Sequence, residues 1–214
     1  MASSIIHIAV CDKLNKKLKR DRTKMLIGTV APDISKLLGE DKAGTHFLDR
    51  KSLEPDVPII DKFLDKYRNY LNDDFVLGYY IHLYTDLLWF RYFIPEIYNK
   101  EKNMITKLDG TKVDCHGNMA LIYIYNDYTN MNIELINKYN IDLNFIYEKV
   151  PYFENIIEEA HMDKMQIIVD KVREIYDNSK LHKDYIFNME NIENFIDISL
   201  ELIEANLKEI GVLK

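Results

Sequence analysis

His82 and Asp86 stand four positions apart inside "GYYIHLYTD", one of the most apolar runs of the chain. On a helix that spacing puts both side chains on one face, one turn apart and close enough to share a ligand. A buried carboxylate without a partner is costly, so the pair calls for a donor or a cation. Three further metal-competent residues lie where a helical fold could bring them to it: His7 near the start of the chain, Asp33 beside Pro32, and His46 in "GTHFLD". Three imidazoles and two carboxylates make a mixed nitrogen and oxygen site suited to zinc, with iron, manganese or nickel as alternatives. Spacing alone leaves open whether His82 and Asp86 are ligands or a surface or core pair.

The elements that must position these residues read as helices, with only seven glycines and five prolines to interrupt 214 residues. Ser3 or Ser4 can cap a first helix on which Ile5, Ile6, Ala9, Val10 and Leu14 recur at helical spacing, with His7 near its start. A second helix is expected over 22–30, stopped by Pro32, with Asp33 placed to cap the short segment "ISKLLGE". Residues 40–58 read as a loop carrying His46, and helices follow over 59–71 and 75–92. "MITKLDGTKVDC" then gives two short alternating runs around Asp109-Gly110, a small β-hairpin excursion near 104–115. Helical segments resume from about Asn118, with long ones over 160–178 and 189–210. The last repeats Ile192, Phe195, Ile196, Leu200, Ile203, Leu207 and Ile210 along one stripe, which is core or a dimer seam. The expected fold is all-α, a single helical domain over 1–214.

Composition narrows the classes of function. Hydrophobic residues make up 47% of the chain, enough for a sizeable core. A formal net charge of -7 with mixed signs along the chain argues against a broad nucleic-acid or anionic-membrane footprint. No window approaches the roughly 20 apolar residues of a membrane span. Cys11 and Cys115 form no CxxC pattern, as expected of a reduced protein. The first residues, "MASSIIHIAVCDKLNKKLKR", place basic residues after a short apolar stretch, the reverse of a secretory signal, so a cytoplasmic location is expected.

Taken in order, "SSIIHIAV", "LIGTVAPDIS", "GTHFLD" and "LGYYIHLYTDLLW" resemble the zinc-dependent phospholipase C and S1/P1 nuclease superfamily, and its short bacterial phospholipase C-like members above all. The resemblance covers residues 1–95 and implies a phospholipase C/P1 nuclease-like helical bundle with metals held among the helices. By the same resemblance, Asp33, His46, His82 and Asp86 match the ligands of one metal. His7 matches a ligand of a neighbouring metal, and Asp86 the carboxylate that bridges the two. The chain departs from the pattern at Tyr92, where three-metal relatives carry a histidine, and at Ala120, four positions after His116, where a glutamate would complete a His-x-x-x-Glu pair. The secreted relatives also use the amino group of a processed N-terminal tryptophan, whereas this chain starts "MASS". One or two metals are therefore expected, not three.

The activity the resemblance implies is phosphoester hydrolysis by metal-activated water, on a small phosphoester or a phospholipid headgroup, with Asp33 as candidate general base. His116 and Asp127 are further candidates for a second metal, and Tyr84 and Tyr92 for the wall of a substrate cleft. Trp89 and Phe93 read as core or cleft, His161 as a solvated helix residue, and His182 as an exposed linker histidine. A non-catalytic helical protein, stapled by one structural metal and acting in partner binding, is the alternative. The adjacent His-Asp pair of the HD phosphohydrolases is absent. Substrate and oligomeric state are not encoded in these motifs.

Overall fold

The computed structural model of the protein describes residues 1–116 and 119–213, and the side chains of all of these but 119–121. Asn118, where the last helical half was expected to begin, lies outside the described residues. The chain is mostly helical, 62% of it, with a small three-stranded antiparallel sheet. In chain order the helices are α1 (Ser4–Leu18), α2 (Arg22–Val30), α3 (Ile34–Leu37), α4 (Ile60–Tyr67), α5 (Asp74–Leu88), α6 (Ile94–Ile97), α7 (Met119–Tyr139), α8 (Met165–Asp177) and α9 (Met189–Glu209). Buried residues from Ala2 to Leu207 form one contiguous hydrophobic cluster. Among the described residues no helix is long and apolar enough to cross a membrane.

Side-chain caps account for the starts of four of these helices. Ser3 caps α1 by accepting from the Ile6 N–H, Asp21 caps α2 through Lys24, and Asp73 caps α5 through Phe75 and Val76. Asn188 and Asn191 form a reciprocal capping box on α9. Asp33 departs from expectation, because it makes no capping hydrogen bond to α3 and its side chain faces His46 instead. The helix expected over 59–71 ends at Tyr67 and continues as a 3₁₀ turn, Arg68–Tyr70. The helix expected from 160 starts only at Met165, after two 3₁₀ turns joined at His161, whose left-handed φ of 48° breaks the helix. His161 is thus a loop residue, held 2.8 Å from Glu40.

α2 and α5 carry the centre of the bundle. They cross so closely that a Cβ on Gly28 would fall on the Phe75 carbonyl, and one on Gly78 on the Met25 carbonyl. Thr29 fastens the crossing by donating to the Gly78 carbonyl at 3.0 Å. On α9, Ile192, Phe195, Ile196, Ile203 and Leu207 are buried, so this stripe is core. Past α5 the helix widens into a π turn, Trp89–Phe93, in which Trp89 stacks on Phe93 with ring centroids 3.9 Å apart.

The small sheet has the order β1-β2-β3, with β1 (Tyr98–Asn99), β2 (Met104–Thr106) and β3 (Lys112–Asp114). The expected hairpin is β2–β3, with Ile105 opposite Val113, and β1 adds a third strand that alternation did not reveal. Its loop is closed by Lys107 N–H donating to Thr111 at 2.8 Å, and only Gly110 of the Asp-Gly pair takes positive φ, at 82°. A three-residue loop with glycine at its left-handed position therefore replaces the two-residue turn that dipeptide suggests.

Candidate metal centre

Four elements bring His7, Asp33, His46, His82 and Asp86 together. α1 supplies His7, the 3₁₀ turn Ala31–Asp33 supplies Asp33, the loop between α3 and α4 supplies His46, and α5 supplies His82 and Asp86. All but Asp33 are essentially fully buried, and its side chain keeps 15% of its surface exposed. His46 Nε2 lies 3.6 Å from Asp33 Oδ1, 3.3 Å from His82 Nε2 and 3.7 Å from Asp86 Oδ2. His82 Nε2 lies 3.6 Å from the same Asp86 oxygen. On the other side of Asp86, Oδ1 accepts from the Ala2 N–H at 3.2 Å and stands 3.3 Å from His7 Nε2. The His7 and His82 rings stack, with centroids 3.8 Å apart.

The surrounding hydrogen bonds decide which nitrogens face inward. His82 Nδ1 lies 2.7 Å from the Thr29 carbonyl, an acceptor, so this nitrogen carries the proton and Nε2 presents a lone pair. His46 Nδ1 lies 3.1 Å from Thr45 Oγ1, whose own proton goes to the Lys42 carbonyl at 3.2 Å, so His46 Nε2 is likewise a lone pair. Tyr79 donates to the Thr45 carbonyl at 2.5 Å and Ser35 pairs with the Thr45 hydroxyl at 3.0 Å, fixing that loop from both sides. Two imidazole lone pairs and two carboxylates therefore converge with no neutral donor between them. Asp33 Oδ1, Asp86 Oδ2 and both His7 nitrogens are buried without a hydrogen-bond partner.

That constellation fits a divalent cation in composition and in size. A tetrahedral ion bound at about 2.0–2.1 Å from each ligand sets its donor atoms roughly 3.3–3.4 Å apart. Four of the separations among Asp33, His46, His82 and Asp86 run from 3.3 to 3.7 Å, and Asp33, His46 and His82 can offer ligand atoms all within 4.8 Å of one another. His7, His82 and Asp86 make a second overlapping group of three ligand atoms. A single proton on His82 satisfies one pair only and leaves a second carboxylate unpaired.

Electrostatics point the same way. Burial, reinforced by the charge of His82, lowers His7 to about 4, so it is neutral and ready to ligate at neutral pH. Burial works to raise Asp33, but the neighbouring imidazoles of His46 and His82 overcome it and hold the carboxyl at about 2. Burial is outweighed in the same way at Asp86, held well below the carboxylate range by His7 and His82. His82 rises above its ordinary value because Asp86 more than offsets its desolvation.

The other sequence candidates lie elsewhere. Asp127 is buried on α7 and accepts from the Tyr185, Ile186 and Phe187 N–H groups at 3.0, 2.7 and 3.2 Å, which makes it a staple for the loop before α9. His116 is exposed and hydrogen-bonded to Asp114 at 2.6 Å beside the hairpin, away from the cluster. Tyr84 packs on Tyr80, centroids 5.9 Å apart, and Tyr92 is 49% exposed on the π turn. Neither lines the cavities at the cluster.

What lines the mouth was not singled out in the sequence. A cavity of about 290 Å³ opens at Asp33 and His46, with Lys36, Lys42 and Arg50 in its wall. Lys42 and Arg50 pair with Asp56, and Arg50 also with Asp41, whereas Lys36 forms no ion pair among the described residues. Lys36 follows Asp33 by three residues, the only signal that could have marked it. No family model, no curated protein and no solved structure matches this chain.

Proposed function

We propose that the protein is a metal-dependent phosphoester hydrolase of phospholipase C-like chemistry, with zinc held by Asp33, His46, His82 and Asp86 and a neighbouring position between His7 and Asp86. Iron, manganese or nickel suits the same donors. The observation that carries the reading is that the cluster reaches solvent only at Asp33, and does so in a cavity that presents Lys36, a cation with no ion-pair partner among the described residues. A bound divalent cation supplies Lewis acidity there, lowering the pKa of water toward neutrality and polarising a phosphoryl oxygen. Lys36 attracts and orients the phosphate of a small phosphoester or a phospholipid headgroup. Asp33, ionised at neutral pH and at the mouth, is placed to accept a proton from water as general base. The buried side chains behind it exclude bulk solvent and keep the charges strong.

A second reading has its own support. Asp33, His46 and His82, with Asp86 beside the two imidazoles, can close one ion with protein donors alone, as structural zinc sites do. Such an ion would staple the Ala31–Asp33 turn, α5 and the loop carrying His46, leaving partner binding as the function. Turnover of p-nitrophenyl phosphate and bis(p-nitrophenyl) phosphate by zinc-reconstituted protein decides between them. The hydrolase reading expects turnover that a chelator abolishes, with Asp33→Asn reducing it by about a hundredfold or more. Stoichiometric zinc without turnover of monoester, diester or phospholipid would leave the staple.

A further inference from the structure

Behind the mouth lies a larger cavity of about 560 Å³, bounded by the start of α1, α3, the π turn, α6, α7 and α8. Its size falls among small-molecule sites, which span about 300–1,000 Å³. The wall is chiefly hydrocarbon, built by Ile94, Ile97, Ile124, Ile168, Trp89 and Phe187. Met1, Asp33 and Lys36 belong to this cavity and to the smaller one at the candidate metal centre, so the two meet there. Lys171, the other cation in the wall, is neutralised by Glu174 at 2.8 Å. Lys36, with no ion pair among the described residues, is therefore the lysine of this wall that is left to meet an anionic head, next to Asp33 at the end shared with the smaller cavity. Trp89, almost fully buried, keeps an indole N–H without a partner among the described residues, a donor set in a chiefly hydrocarbon wall.

We propose that this cavity binds the hydrocarbon chain of an amphiphile whose anionic head sits at Lys36, beside the metal centre. The π turn matters because it carries Trp89, from the same stretch as His82 and Asp86, into the wall. Burial of a chain removes apolar surface from water at each methylene, so affinity must climb with chain length. The position of the head rests on the hydrolase reading; the chain site does not. A phosphoester of a long alcohol and a free fatty acid share this chemistry.

Trp89 is the only tryptophan, so its fluorescence reports occupancy directly. The test titrates the intact protein, with and without zinc, with butyl, octyl and dodecyl phosphate below their micelle concentrations, and with dodecanoate. The expected result is a saturable change in Trp89 emission and affinity rising at least about a hundredfold from butyl to dodecyl phosphate. Ile124→Glu, at a half-buried wall position, is expected to weaken dodecyl phosphate binding by at least about tenfold. Dodecyl phosphate binding tighter than dodecanoate identifies a phosphoester, and equal binding identifies a free chain acid; both support the site. Equal affinity for butyl and dodecyl phosphate in the wild-type chain would overturn it, whatever becomes of the variant. Hydrolysis of p-nitrophenyl phosphate without chain-length dependence removes the chain site and keeps the hydrolase. Chain-dependent binding by a zinc-loaded protein that hydrolyses nothing does the reverse.

Discussion

Asp86 offers its two oxygens to different neighbours, Oδ1 to Ala2 and His7 and Oδ2 to His46 and His82, and so couples the first helix to the fifth. His82 is the donor shared by both ligand groups, and Asp86 is the carboxylate that stands between His7 on one side and His46 and His82 on the other. His82→Ala and Asp86→Ala are each expected to lose most bound metal and to lower Tm of the zinc-loaded protein by about 5–10 °C, a ligand-linkage loss of roughly 3 kcal/mol for a chain of this size. His161→Ala and His182→Ala, outside the cluster, are expected to do neither; elemental analysis and a thermal melt check all four. At this scale the sequence was most legible for His82 and Asp86, because their helical spacing is itself a geometric statement. His46 and Asp33 were readable as ligand types, but nothing in spacing said that a loop would fold back onto α5. Asp127 misled because a buried carboxylate can be satisfied by three backbone N–H groups as well as by a metal.

Between elements, the decisive contact is the α2–α5 crossing. Thr29 on α2 orients His82 on α5 through its carbonyl, so the helix separation sets where the imidazole points. Gly78→Ala would push its methyl into the Met25 carbonyl, which backbone cannot evade cheaply. The expected cost is about 3 kcal/mol in chemical denaturation, at the upper end for overpacking, together with weakened metal retention. Asp127→Ala tests the opposite case: about 3 kcal/mol lost from three stranded donors, with metal content unchanged. A cap at Ser3 or Ser4, the stop at Pro32 and the apolar stripe over 192–210 made the start of α1, and α2 and α9, readable to within a residue. The π turn and the 3₁₀ turns around His161 were not, since they answer to tertiary packing that propensity does not encode. The mouth cavity was invisible for the same reason: nothing in the sequence singles out Lys36, Lys42 and Arg50 until α3 and the following loop are set beside His46.

For the molecule as a whole, one buried polar cluster inside a helical core links stability to pH. His7 has a folded pKa of about 4 against an ordinary 6.5, so in the metal-free protein the unfolded chain binds more protons between those values. Acidification through that window therefore favours unfolding, and Asp33, held at about 2 against 3.8, extends the loss to lower pH. His82, raised by Asp86, opposes this by contributing stability at low pH that fades as pH rises. With His7, His46, Asp33 and Asp86 all shifted downward, the net expectation is a Tm that falls steadily from pH 7 to pH 4, followed by calorimetry on chelator-treated protein. Zinc-loaded protein should fall more steeply, because protons compete for its ligands. The measurement that tests the central claim most directly is metal content per chain, by elemental mass spectrometry on untagged protein reconstituted with zinc, beside His82→Ala. The wild-type protein is expected to hold at least one tight equivalent and His82→Ala to lose it. A wild-type chain that retains no metal, or a His82→Ala chain that retains all of it, would contradict that claim.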